Sequence, residues 1–429
     1  MILGLLEKSR QPIWLILMLA LLPWQSLKAQ DELFGISREQ DSLATDTPEA
    51  DSLAKAQLDS LPWNRRVEQK LARLLDNPIF QTSQVGLMVY DLTADSVLFQ
   101  HRERQVMRPA STMKLLTAIA AIDLLGGSYR LVTHLKYSGN IADGTLHGTL
   151  YCQGGFDPLF NRDDLHSFVE SIRRMGVDTI RGSIVADVSL KDTVRWGEGW
   201  CWDDDNPVLS PLLISGKDCF LPRLLVSLEE AGVVVEADTM RGVTPADAYA
   251  INSRFHTIDQ VLIPMMKESD NLFAESLFYH LAAWRGTPFA TAKMAREQLK
   301  RLLDKVIPES TLYRIADGSG LSLYNYLTPA IEVALLRYAY HSSPIYLHLY
   351  PSLPVAGEDG TLKNRMKGAF TQGNVRAKTG TLLGVTSLAG YLQAANGHLL
   401  CFAIMNQGLM HTKHGRHFQD RVCTVLSEP

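Results

Sequence analysis

Cysteine is scarce here. There are five in 429 residues, Cys152, Cys201, Cys219, Cys401 and Cys423, with no C-x-x-C pair. The odd count gives no disulfide framework, and a chain this long needs none. They read as small buried hydrophobes, with one pair in the middle region left open. No Lys/Arg stripe stands out, the net charge is −4 and the pI is near 6.3, so nothing points to nucleic acid. No apolar run is long enough to span a bilayer comfortably. "IWLILMLALLPW" supplies only about ten residues of apolar h-region. No amphipathic anchor closes the chain, which ends in "VLSEP".

What is present is globular: 46% hydrophobic and 21% charged, enough apolar material for a sizeable core. Lys8 and Arg10 precede the apolar stretch, and "SLKAQ" offers cleavage after Ala29, so residues 1–29 read as an export leader. An uncleaved anchor is the alternative, and either way the remainder is exported to the periplasm. No cysteine sits at the cleavage point to make a lipoprotein. Residues 30–62 are acidic and repeat "DSL" at Asp41, Asp51 and Asp59, the pattern of a disordered tether, with a short helix as the alternative.

Folded sequence begins near Trp63. Helical periodicity runs over 67–75, and "VGLMVYDL" and "SVLFQH" read as strands joined by "TAD". A helix is predicted over 111–125, ended by Gly126-Gly127. Residues 131–252 change character: short strands, the amphipathic "DDLHSFVESIRRMG" and a Trp-rich turn suggest an inserted α/β unit. Helices are predicted over 258–283, 290–305 and 329–341. Three strands follow ("NVRAKTG", "VTSLAGYLQ", "HLLCFAIMN"), the last two joined by Ala395-Asn396-Gly397, and then a helix over 415–426. Strands at both ends with helices between predict an α+β domain, residues 63–130 and 253–429, built on a central antiparallel sheet flanked by helices.

Three short motifs carry chemistry. Ser111-Thr112-Met113-Lys114 sits at the start of an apolar helix, where backbone N–H groups and the positive dipole end gather. Lys114 follows one turn on, on the same face. Alone, the pattern fits a capping serine and a solvated lysine; about one or two S-x-x-K matches arise by chance in such a chain. Ser52-Leu53-Ala54-Lys55 is a second copy, in the tether. Ser269-Asp270-Asn271 and Lys378-Thr379-Gly380-Thr381 change the balance, because all three in this order are far less expected by chance. On a period-2 strand Lys378 and Gly380 share a face, and the glycine would let a substrate backbone lie against the strand edge.

With these motifs the sequence resembles the serine penicillin-binding proteins, and most closely the D-Ala-D-Ala carboxypeptidase/endopeptidase family S13. "GGFDP", "GWCWDD", "MMKESDN", "ADGSGLS" and "PVAGEDGTL" add to the resemblance. It implies a β-lactamase/transpeptidase-like fold, peptidoglycan stem peptides as substrates, covalent inhibition by β-lactams, and no cofactor or metal. Ser111 would be the nucleophile and Lys114 its base, its pKa lowered by burial and by Lys378. Ser269 would relay the proton to the leaving D-Ala nitrogen, and Asn271 would bind the peptide and hold Lys114. Lys378, Thr379 and Thr381 would receive the substrate carboxylate, with the Ser111 and Thr381 N–H groups as oxyanion hole.

The resemblance also marks departures. About 158 residues separate Ser111 from Ser269, room for one inserted domain of ordinary size where the family often has two. Leu323 stands where an Arg commonly follows "DGSGLS", and Leu383 where a Gln is common. Thr361 and Asp187 remain at expected substrate-binding positions. The subsite for the stem side chain is therefore expected to be more apolar. A β-lactamase and a catalytically silent peptidoglycan-binding protein are the competing readings. His411, His414 and His417 have a tempting metal-ligand spacing but no acidic or cysteine partner nearby, and read as an exposed basic turn. Trp196, Trp200 and Trp202 read as packing of the insert against the main domain.

Overall fold

Apolar side chains alternate through the first strand, β1 (Gln84–Asp91), so that Val85, Leu87 and Val89 enter one core while Met88 and Tyr90 face another. The computed structural model describes residue 58 and residues 60–429. The expected leader and most of the expected tether lie outside the described residues. Strand β1 pairs antiparallel with β2 (Ser96–His101) and with β10 (Leu399–Gln407). Strands β9 (Val385–Gln393) and β8 (Arg376–Leu382) complete an antiparallel sheet in the order β2-β1-β10-β9-β8. β9 and β10 are buried on both faces and read as nearly continuous apolar runs, as central covered strands should.

One face of this sheet packs on α8 (Pro329–His341), and behind it the same apolar core takes in α2 (Met113–Leu125) and α6 (Asn271–Ala283). The other packs on α1 (Trp63–Leu75) and α10 (Thr412–Ser427). Helix α2 is apolar nearly all round, and its residues 113–122 are all buried, so it forms the centre of its layer. Each large apolar side chain so buried contributes about 1.5–3 kcal/mol. Lys114 is the one charged residue among those ten, and its burial is the first local sign of a site.

A second sheet has the order β6-β5-β4-β3-β7. Its strands are β3 (Arg130–Ala142), β4 (Thr145–Gln153), β5 (Thr179–Asp187), β6 (Val234–Arg241) and β7 (Tyr249–Thr257). The β4–β5 and β5–β6 pairs are parallel and carry α3 (Arg162–Arg174) and α4 (Phe220–Glu230) in their connections. These helices and the sheet share a core of their own around Phe160, Phe168 and Leu224.

Differences from the sequence reading have local causes. The single helix predicted over 258–283 is two, α5 (Ile258–Lys267) and α6, because Ser269 adopts the left-handed conformation (φ 63°) and Asp270 caps the second. Unpredicted elements are α4, β6, β7 and α9 (Ser343–Ser352). β6 and β7 are mostly exposed, which blurs their alternation. The middle-region cysteine pair is not formed: all five cysteines are free, three of them buried.

Candidate active site

Ser111 does not cap the helix. It lies in a 3-10 turn, Ala110–Thr112, ahead of α2, and Ala110 there takes φ 50°. Such a value is strained for a residue with a Cβ, so the surroundings must hold it. The clamp is backbone. A Cβ on Gly320 would fall 1.9 Å from the Ala110 carbonyl oxygen, and one on Gly380 would fall 2.6 Å from that of Pro109 and 2.9 Å from the Ser111 nitrogen. Gly380 thus makes room for the turn that carries Ser111. The expectation that it opens the strand to a substrate backbone is corrected: the chain itself fills that space.

The turn leaves the half-buried Ser111 hydroxyl 3.1 Å from Lys114 Nζ. The amine also donates to Asn271 Oδ1 at 2.7 Å and to the Ser319 carbonyl at 2.8 Å. Burial lowers Lys114 to about 8, against the opposing pull of the Asp317, Glu275 and Asp270 carboxylates. Lys378 was expected to lower it; instead the charge of Lys114 bears on Lys378, which burial already holds well below the usual lysine range. As a neutral amine, Lys114 has two N–H groups for Asn271 and Ser319 and a lone pair left for the Ser111 hydroxyl.

The break between α5 and α6 divides the labour of Ser269-Asp270-Asn271. Ser269 sits on the left-handed residue, Asp270 caps α6 by accepting from Leu272 N (2.8 Å) and Phe273 N (3.4 Å), and Asn271 begins the helix facing Lys114. Lys378 Nζ donates to Ser269 Oγ at 2.7 Å and to the Thr379 carbonyl at 2.8 Å. Ala377 N–H points outward to the Pro354 carbonyl (3.0 Å), so strand alternation turns the Thr379 and Thr381 N–H groups to the open edge of β8. Thr379 Oγ1 donates to Thr361 Oγ1 at 2.8 Å. The Thr361 loop is tied to the α5 end by Lys267, which donates to Leu353 O (2.7 Å) and Asp359 Oδ2 (2.6 Å).

Asp187, Leu323 and Leu383 were expected at the substrate and lie outside this network. Asp187 is buried at the end of β5, where its two carboxylate oxygens accept from Ser189 N (2.9 Å) and Thr244 N (2.8 Å). Leu383 is wholly exposed in the β8–β9 turn. Leu323 is half-buried, and its carbonyl accepts from Arg108 Nε at 3.0 Å. Of the three tryptophans only Trp200 ties in, donating Nε1–H to Asp317 Oδ2 at 2.8 Å; Trp196 and Trp202 are exposed. His411 and His414 face each other edge-on, and among the described residues no group of three or more His, Cys, Asp or Glu could hold a metal.

Two carboxylates behind the site went unread. Asp317 accepts from Gly320 N, Ser322 N, Asn325 Nδ2 and Trp200, and Glu275 Oε1 accepts from Gly318 N and Ser319 N. Together they shape the loop whose Ser319 carbonyl holds Lys114. A lone acid inside the apolar run "NLFAESLFYHL" was the available signal for Glu275.

Residues 67–213 and 215–428 match the family described as D-Ala-D-Ala carboxypeptidase 3 (S13). The chain belongs to this family. The D-alanyl-D-alanine carboxypeptidase of Actinomadura sp. is 27% identical over 448 residues, covering 80% of this chain and 81% of that one. The corresponding Haemophilus influenzae carboxypeptidase is 27% identical, covering 75% and 84%. The crystal structure of penicillin-binding protein 4 from H. influenzae superposes with a TM-score of 0.73 at 23% identity, over 79% of this chain and 93% of that one. The family match thus extends over both sheets.

Proposed function

We propose that this S13 member is a serine-type D-Ala-D-Ala carboxypeptidase, with endopeptidase capacity, acting on peptidoglycan stem peptides through a Ser111 acyl-enzyme. The observation that carries the residue assignment is Lys114 Nζ, with two acceptors at 2.7 and 2.8 Å and the Ser111 hydroxyl at 3.1 Å. Neutral Lys114 takes the Ser111 proton as Oγ bonds to the carbonyl carbon of the penultimate D-Ala. The oxyanion is held by the Ser111 N–H and by the Thr381 N–H on the open strand edge. The Lys378 side, with Thr379 and Thr381, receives the terminal carboxylate, and that anion favours the charged form of Lys378. The proton passes from Lys114 through Ser269 to the departing nitrogen. Water then cleaves the ester and returns the proton to Ser111. A β-lactam enters the same way, but its opened ring keeps the leaving nitrogen tethered.

The same reading takes residues 131–252 as an inserted unit carrying most of the second sheet, and 63–130 with 253–429 as the catalytic domain. It places the enzyme outside the cytoplasm, where its substrate lies; no helix among the described residues is long and apolar enough to cross a membrane. β-Lactams are its expected inhibitors. A penicillin G-acylated endopeptidase of Bdellovibrio bacteriovorus shares the fold, with a TM-score of 0.52 at 17% identity over 80% of this chain and 91% of that one. Fluorescent penicillin tests the proposal. A long-lived adduct, lost in Ser111→Ala, together with D-Ala release from a stem pentapeptide, supports it. Rapid drug hydrolysis without an adduct would make the protein a β-lactamase, and neither reaction would leave a silent binder.

A further inference from the structure

Glu332, on the first turns of α8, is wholly buried. Its Oε1 meets the Thr112 hydroxyl, and its Oε2 has no partner. The Thr112 hydroxyl has one proton and three neighbours: the Pro109 carbonyl at 2.8 Å, Ser387 Oγ at 3.3 Å, and Glu332. Ser387 also donates to the Pro109 carbonyl. If Thr112 donates to Pro109, as the helical turn favours, the bond to Glu332 needs its proton from the carboxyl.

We propose that Glu332 works as a neutral acid whose O–H, relayed through Thr112, fixes the Pro109 carbonyl and so holds the strained turn that presents Ser111. It is a positioning residue, and the inference rests on Ser111 being the nucleophile. Ionised, Glu332 would leave Oε2 bare in an apolar core and would draw the Thr112 proton away from Pro109. The Pro109 carbonyl would then keep only Ser387 and the long Thr112 N–H contact at 3.4 Å, beside the backbone packing at Gly320 and Gly380, against the φ of Ala110.

Burial raises Glu332 to about 8, and the Thr112 hydrogen bond opposes that rise. Titratable side chains on the packed elements include Lys114 on α2, Tyr391 on β9, Cys401 on β10, Tyr90 on β1 and Tyr350 on α9; none has a resolved charge effect on it. Between the ordinary carboxylate value and about 8 the folded chain holds a proton that the unfolded chain has lost. This group's contribution to stability is therefore full at acid pH and falls as pH rises through that window.

The test is the rate of acylation by fluorescent penicillin from pH 6 to 10, for the wild type, Glu332→Gln and Glu332→Ala, with thermal midpoints at pH 5 and 8. Gln keeps a donor for Thr112 and cannot ionise. It should acylate like wild type at pH 7 and lose the wild type's fall above about 8, gaining at least about fivefold at pH 9.5. Its thermal midpoint relative to wild type should be higher at pH 8 than at pH 5. Glu332→Ala should acylate at least about tenfold more slowly at every pH; if it does not fold, Glu332→Gln carries the test. Superimposable profiles for wild type and Glu332→Gln, or wild-type rates in Glu332→Ala, overturn the proposal. An adduct that persists in Ser111→Ala would instead remove the reading of the nucleophile, whatever Glu332 does.

Discussion

Lys114 Nζ lies 2.7 Å from Asn271 Oδ1, a bond between residues 157 positions apart, and this contact orients the amine that faces Ser111. Asn271 can do so because Asp270, not Asn271, is occupied in capping α6. Removing the amide should leave the Lys114 amine held only by the Ser319 carbonyl and Ser111, and so less well aimed. Asn271→Ala should lower acylation about 10²-fold, in the rate more than in drug affinity, as measured by stopped-flow of penicillin binding.

Ser111→Ala should abolish the covalent adduct and cut D-Ala release by at least about 10³-fold, while leaving the thermal midpoint nearly unchanged. Ser111 is half-buried and donates to no main-chain cap, so little stability rests on it. A stable adduct in this variant would assign the nucleophile elsewhere.

Protonated Lys114 cannot accept from Ser111, so kcat/KM should climb with pH on the acid side, about tenfold per unit, up to about 8. The Asp317 carboxylate raises Lys114, so Asp317→Asn should move this rise to lower pH. The same change gives up acceptors that serve buried donors and should cost about 1–3 kcal/mol of stability. A pH profile and a denaturant titration separate the two effects.

Gly380→Ala should lower kcat/KM about 10²-fold, because its Cβ meets Ser387 Oγ at 2.1 Å and the Pro109 oxygen at 2.6 Å and must move the turn or the strand. Circular dichroism checks that the fold survives. Leu383→Ala, by contrast, should change acylation by no more than about twofold, because the side chain stands in solvent.

The sequence by itself determined a good deal. Strands β1, β2, β8, β9 and β10 were legible because one residue in two faces each core, or because the central strands are apolar throughout. The three motifs named Ser111, Lys114, Ser269, Asn271 and Lys378, which the fold brings into two hydrogen-bonded sets, Ser111–Lys114–Asn271 and Lys378–Ser269. Only tertiary structure decided the rest. Whether Ser111 caps a helix or faces an amine depends on Gly320 and Gly380 clamping a turn from distant parts of the chain. Tertiary structure also puts Leu383 in solvent and turns both carboxylate oxygens of Asp187 to main-chain N–H groups. Glu275 and Glu332 draw their chemistry from burial. That is a property of the packed neighbours, and the shift it imposes on a charge is invisible in a one-dimensional string.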